Sequence, residues 1–203
     1  VNISLTDYAS PGVYLIQNKV TKEELWKGEE TYLWFADLYP VCDDWEDALD
    51  MEKLLEKKDP VCFVQYEGLK NNIGQLYKMT LADGVEKCFC HGDTYKPNWM
   101  IRPDGSVILI DWEYSGYSDP GIDVGYYVVD AMYDFDKAEE FIKEYLQEDY
   151  NETTRFHYMA YVAIIAYYWF VWAMYRESCG ADMGEALENW RDMAVKYAEY
   201  LLK

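Results

Sequence analysis

Three polar residues in the stretch Cys90–Glu113, CHGDTYKPNWMIRPDGSVILIDWE, have the types and spacing that phosphoryl transfer requires: Asp93, Asn98 and Asp111. Moving a phosphoryl group onto an alcohol needs a carboxylate to orient or deprotonate the attacking hydroxyl, and hard oxygen donors to hold magnesium on the phosphates. Asp93 suits the first task. Asn98 and Asp111 suit the second, because magnesium keeps several of its waters and two protein ligands are enough. Taken singly, Asp93 and Asn98 pass for turn formers and Asp111 for a cap. Together they share a register: Asp93 and Asn98 lie in one short loop, and Asp111 follows Val-Ile-Leu-Ile, which reads as a buried strand, so a hairpin would bring all three to one edge.

The elements that must position this loop are mostly helices. Strand signals occupy 87–90, 99–102 and 107–110, the last two joined by the turn sequence Pro103-Asp104-Gly105. Upstream, Val13–Gln17 reads as a strand. A capping box, Thr21-x-x-Glu24, opens a helix that runs to about Leu38 before Pro40. A second helix follows Asp43-Asp44 and closes at Pro60, and a third runs from Tyr66 to Leu81, stopped by Asp83-Gly84. After the turn Asp119-Pro120-Gly121 the pattern predicts helices over 122–132, 136–148, 152–177 and 183–202. The fold class is α+β, predominantly helical, with a small sheet insertion carrying the polar loop.

The chain has 203 residues, enough to bury a real core, and 38 acidic against 18 basic side chains give a formal charge of −20. That balance argues against nucleic acid, which is bound through Lys and Arg clusters, and would attract a cation. Five cysteines are an odd number, and no stretch reads as a secretory signal, so reduced thiols in a cytoplasm are expected. Cys88 and Cys90 are expected on opposite faces of their strand, as packing residues. Without a secretory signal, the glycosylation sequon Asn151-Glu152-Thr153 carries little meaning. Tyr158–Tyr175 holds no charged residue across 18 positions, but its Tyr and Trp are spread through the middle instead of collecting at the ends. It reads as a buried core helix with some rings facing a pocket, not as a membrane span.

His91-Gly92-Asp93-x-x-x-x-Asn98, followed by Leu109-Ile110-Asp111-Trp112-Glu113-Tyr114, resembles the catalytic loop and metal-binding segment of the choline/ethanolamine kinase and aminoglycoside phosphotransferase superfamily, relatives of the protein kinases. The likeness runs from about Val13 to the end of the chain and is most specific over 90–130. It implies that Asp93 is the catalytic base, that Asn98 and Asp111 bind Mg2+, and that His91 braces the loop. The pattern at Asp111–Tyr114, with Tyr117 and Gly121-Ile122-Asp123-Val124-Gly125 after it, looks more like the choline kinase branch than the antibiotic kinases. Asp123 then buttresses the loop, a role compatible with its place at a helix N-terminus. Glu113 supports either the metal site or the substrate pocket.

A quaternary ammonium has no N–H donors, so only ring faces and negative charge can hold it. Trp169 and Trp172 stand at i, i+3 on one helix face and could form two walls of such a cage. Choline kinases carry a similar Trp pair, with an acid on the helix after the metal-binding segment; the matching position is Asp130, one methylene shorter than the family's Glu. Tyr114 matches a cage residue, and Trp190 could close the cage. The competing reading of the two Trp residues is core packing.

Kinases of this superfamily have a small β-rich lobe with a phosphate-covering loop and a strand lysine. Only 90 residues precede His91, helices fill most of them, and no glycine-rich loop is present. The resemblance therefore implies the C-terminal, large lobe of a protein-kinase-like fold over 21–203, with the N-terminal lobe largely absent and 1–20 a hinge-like remnant. Leu15, Ile16 and Gln17 match the hinge that contacts adenine. The expected activity is ATP-dependent phosphorylation of choline or ethanolamine in the cytoplasm, without membrane insertion, the isolated chain binding the alcohol but turning over negligibly. The competing functions are an aminoglycoside or other small-molecule kinase lobe, and an inactive kinase-like binding module.

Overall fold

A long apolar helix organises the described residues, 67–178 and 181–203, of the computed structural model. In chain order the elements are α1 (Glu67–Ala82), β1 (Cys88–Cys90), β2 (Trp99–Ile101), β3 (Val107–Leu109), β4 (Gly116–Ser118), α2 (Gly121–Asp130), α3 (Phe135–Leu146), α4 (Glu152–Ser178) and α5 (Ala186–Leu201). The strand expected at 13–17, the helices expected before Pro60, the 1–20 segment, and Leu15, Ile16 and Gln17 lie outside the described residues.

α4 has 27 residues with neither Gly nor Pro. The Asn151 side chain caps its start, Oδ1 accepting the backbone N–H groups of Thr153 at 2.9 Å and Thr154 at 3.2 Å. Every residue from His157 to Tyr167 is buried, because α4 packs against α5, α2, α1 and α3. The helix is long and apolar enough to cross a membrane, yet 78% of its apolar window is buried inside the protein. Its composition is therefore explained by its central place in the core. The α2–α4 crossing is close enough to demand glycine: a Cβ on Gly125 would stand 2.7 Å from Ile165 Cγ1 and 2.9 Å from the Tyr161 carbonyl oxygen.

One buried histidine ties three segments together. His157, with a fully buried side chain, meets Asp83 Oδ2 at 2.8 Å through Nδ1 and Asp119 Oδ1 at 2.7 Å through Nε2. The two aspartates expected as turn formers thus also anchor the end of α1 and the approach to α2 onto α4. Burial alone would push the imidazole pKa down, but the Asp119 and Asp83 carboxylates outweigh it and hold the pKa above its ordinary value.

The strands form two separate two-stranded antiparallel sheets, β1 with β4 and β2 with β3. β4 has no counterpart among the expected strands. The inner hairpin β2–β3 is enclosed in sequence by the outer pair, so the connections β1–β2 and β3–β4 start and end beside each other. The Val-Ile-Leu-Ile run is not a buried strand: Ile108 and Leu109 are half-buried, and Val107 and Ile110 are exposed. A two-stranded ribbon leaves one face uncovered, which is why the expectation fails. Cys88 and Cys90 share a face of β1, their Sγ atoms 3.8 Å apart; residues two apart on a pleated strand point the same way, so the opposite-face expectation is corrected.

Candidate active site

The two adjacent connections carry the three polar residues singled out first, and hydrogen bonds stitch them together. The Ile110 N–H donates to the Asn98 carbonyl at 2.9 Å. The His91 ring spans the same gap, with Nε2 2.8 Å from the Ile110 carbonyl oxygen, while its Nδ1 accepts the Asp93 N–H at 3.1 Å. A carbonyl can only accept, so these partners select the neutral Nε2–H tautomer. Burial agrees by pushing the His91 pKa below its ordinary value, against the pull of the Ile110 carbonyl and Asp111. The ring also packs on Trp112, centroids 4.3 Å apart. His91 is thus a brace between the two connections, fully enclosed and without a free proton to give.

Asp123 grips the loop by its main chain. Its carboxylate accepts the N–H of His91 at 2.7 Å and of Gly92 at 2.8 Å. Its carbonyl accepts the Thr94 hydroxyl at 2.5 Å. Burial raises the Asp123 pKa to about 6 despite the two N–H groups, which favour the charged form. Gly92 makes the turn that follows: its φ is +79°, and a Cβ there would sit 2.5 Å from the Tyr114 carbonyl oxygen.

Asn98, buried, donates its amide to the Asp93 carbonyl at 2.8 Å and to Asp93 Oδ2 at 2.9 Å. The NH2 group is therefore spoken for, and Oδ1 is left as an acceptor or metal donor. Burial is the main cause that lifts Asp93 to about 6; the Asn98 bond opposes it, and the charges of Asp111, Glu113 and Asp123 add to it. Asp111 adopts φ 63°, a left-handed backbone uncommon for a non-glycine residue. Asn98 and Asp111 offer oxygen donors of the hard kind that suits magnesium. Among the described residues no group of three His, Cys, Asp or Glu side chains could hold a metal ion.

A cavity of about 530 Å³ runs from Asp93 to the aromatic residues of the helical layer. Tyr114, Asp130, Trp169, Trp172 and Trp190 all line it, together with Gly92 and Asp93. The indole of Trp169 stands edge-on to Trp172 at 5.0 Å and tilted to Trp190 at 5.4 Å. Asp130 is anchored by the Lys96 N–H, which donates to Oδ2 at 2.8 Å, while Lys96 Nζ donates to the Asp130 carbonyl at 3.0 Å. Glu113 is exposed and does not line the cavity, although its charge reaches Asp93. Sequence reasoning missed Tyr126 and Tyr168 as walls. Tyr126 was findable, since it falls between Asp123 and Asp130 at steps of three and four on one face of α2.

Comparison with known proteins bears on this arrangement directly. The sequence model of the choline/ethanolamine kinase family matches residues 14–200. The chain belongs to the choline/ethanolamine kinase family. It is 27% identical over 122 residues to protein LicA of Haemophilus influenzae, covering 55% of this chain and 44% of that protein. To a probable ethanolamine kinase of Arabidopsis thaliana it is 30% identical over 143 residues, 62% of this chain and 37% of the relative. The crystal structure of choline kinase LicA from Streptococcus pneumoniae superposes with a TM-score of 0.65 at 26% identity, over 79% of this chain and 56% of that one. A structure of LicA in complex with AMP gives 0.63 at 26% identity, over 79% and 55%. The chain thus spans less than half the length of these two curated relatives, and the part it spans is a mostly helical kinase-family fold with a few short strands.

Proposed function

We propose that this chain supplies the acceptor- and metal-binding half of a site that phosphorylates the hydroxyl of a small cationic alcohol, choline in preference to ethanolamine, with ATP as donor. One observation carries the proposal: a single cavity has Asp93 at one end and the Trp169, Trp172, Trp190 and Tyr126 rings as walls. Ring faces suit a trimethylammonium group, each contributing ~0.5–2 kcal/mol. Asp130 adds a carboxylate at the cavity wall, its charge partly offset by the Lys96 ammonium 4.0 Å away. A primary ammonium such as ethanolamine's has, among the described residues, only Asp93, Asp130 and tyrosine hydroxyls to accept its N–H groups there, and gains less from the indole faces.

In this reading Asp93 receives the alcohol hydroxyl and, with a pKa near 6, is ionised and able to accept a hydrogen bond or proton at neutral pH. Asn98 holds one carboxylate oxygen still, and the neutral His91 ring fixes the spacing between the Asp93 loop and the Asp111 connection. Asn98 Oδ1 and the Asp111 carboxylate would hold Mg2+, and bound magnesium supplies charge neutralisation on the phosphates. A kinase of this kind belongs where ATP is abundant, which is the cytoplasm.

Tryptophan fluorescence tests the reading on the chain itself. Choline at millimolar or lower concentration quenches or shifts the Trp169 and Trp172 emission, ethanolamine does so more weakly, and an aminoglycoside does not. A response to the aminoglycoside alone would move the substrate class, and a response to none of the three would leave an interaction module.

A further inference from the structure

The dithiol of β1 has no part in the chemistry above, yet its strand runs straight into the catalytic loop. The Cys88 and Cys90 Sγ atoms are 3.8 Å apart; Cys88 is exposed and Cys90 is 1% exposed. Two residues of extended strand separate their Cα atoms by roughly 6.6 Å, near the upper end of the roughly 4.4–6.8 Å that a disulfide spans. The Cys90 thiol donates long hydrogen bonds to the carbonyls of Ser118, at 3.5 Å, and Asp119, at 3.4 Å. Its bond with Cys88 and its burial raise its pKa far above the ordinary thiol range. The proton stays on Cys90, and Cys88 is the thiol that a reagent in solvent can reach.

We propose that Cys88 and Cys90 form a reversible disulfide within β1, a thiol–disulfide switch on the strand that leads to His91 and Asp93. The exposed Cys88 thiol gives its proton to solvent and attacks a sulfur of a small disulfide such as oxidised glutathione; the reagent's S–S bond breaks, and one glutathione leaves and takes up a proton. Cys90 then attacks Cys88 Sγ, its proton passing to the departing glutathione thiolate, so that the intrastrand bond forms and the second glutathione leaves as a thiol. Two protein thiols are oxidised and one small disulfide is reduced to two thiols. Capture of Cys88 removes its hydrogen bond with Cys90, the largest of the causes that hold the proton there. The bridge near the limit of its span is readily reduced, which makes it a switch instead of a staple.

Mass spectrometry of the full chain tests this. Between Cys88 and Lys137 the only Lys or Arg residues are Lys96 and Arg102, each followed by Pro, so trypsin releases 88–137 as one peptide with these two cysteines and no others. After exposure of the native protein to oxidised glutathione and alkylation of remaining thiols, the peptide is expected unalkylated and lacking both thiol hydrogens, and reduced glutathione restores it. Cys90→Ser is expected to stop at a glutathione adduct on Cys88. Alkylation of both cysteines after oxidant treatment, or a wild-type adduct as the end product, overturns the proposal.

Discussion

Asn98 donates an amide hydrogen to the Asp93 carboxylate at 2.9 Å, so a residue proposed to hold metal also aims the residue proposed to receive the proton. Position at one end of the site is thereby coupled to position at the other. The same bond draws the Asp93 pKa down, but burial wins and leaves it near 6.

Asp93→Asn exposes the cost of that burial. The native carboxyl holds its proton more tightly than the ordinary value of 3.8, so the native state binds more protons between about pH 4 and 6 and loses stability as pH rises through that window. About two units correspond to at most ~3 kcal/mol, reduced to ~1–2 kcal/mol by the group's partial exposure. Urea unfolding should therefore find the variant more stable than wild type at pH 8 by about 1–2 kcal/mol, with no gain at pH 4. In a kinase assay of the active enzyme the same change is expected to lower turnover by about 10²–10⁴-fold, with choline affinity roughly unchanged.

His157 gives a slope of the same sign in a higher pH window. Its pKa is raised in the folded protein above 6.5, so its contribution is fully present below that pH and is lost as pH rises through the folded value. Replacing it with Ala strands two buried carboxylates and is expected to cost ~3–5 kcal/mol at pH 6. Thermal unfolding across pH 5 to 9 checks both: wild type loses stability on the alkaline side, and His157→Gln flattens that limb.

Trp169→Ala and Trp172→Ala should each weaken choline binding by about 2- to 30-fold, the equivalent of ~0.5–2 kcal/mol per lost ring face. Calorimetric titration of the chain measures it. Trp169→Phe is expected to fall between wild type and Ala. Unchanged affinity in the folded Ala variants would return both indoles to core packing.

Gly92→Ala and Gly84→Ala separate backbone strain from close approach. Both glycines have positive φ, +79° and +83°, but only Gly92 would bring a Cβ against another atom, the Tyr114 carbonyl oxygen at 2.5 Å. Gly84→Ala should cost ~1–2 kcal/mol for the left-handed backbone alone. Gly92→Ala should cost more and also weaken choline binding, since Gly92 and Tyr114 both line the cavity. Melting temperatures and a choline titration of the two variants decide it.

The two connections that carry Asp93, Asn98 and Asp111 were legible because turn chemistry and polar spacing act locally, and the hairpin between them is closed by elements a few residues away. The apolar run of α4 and the Trp pair upon it were legible for the same reason, since helical periodicity is written along one segment. What escaped depends on pairing between distant segments. β4 has three residues, Gly-Tyr-Ser, with no strand signature of their own, and exists because β1 lies beside it. The Asp83–His157–Asp119 bridge joins residues 74 and 38 positions apart, and a turn-forming Asp looks the same in sequence whether or not a histidine waits opposite.

Asp123 holds the loop after β1 by the main-chain N–H groups of His91 and Gly92 and by the Thr94 hydroxyl. Two of these three bonds end on peptide groups, while the cavity walls on α2, α4 and α5 consist almost wholly of side chains. The architecture thus divides labour between a scaffold that tolerates little movement and a lining that tolerates exchange. On the proposed function, new acceptor alcohols could be explored by resurfacing the helices while the loop that carries Asp93 stays in place.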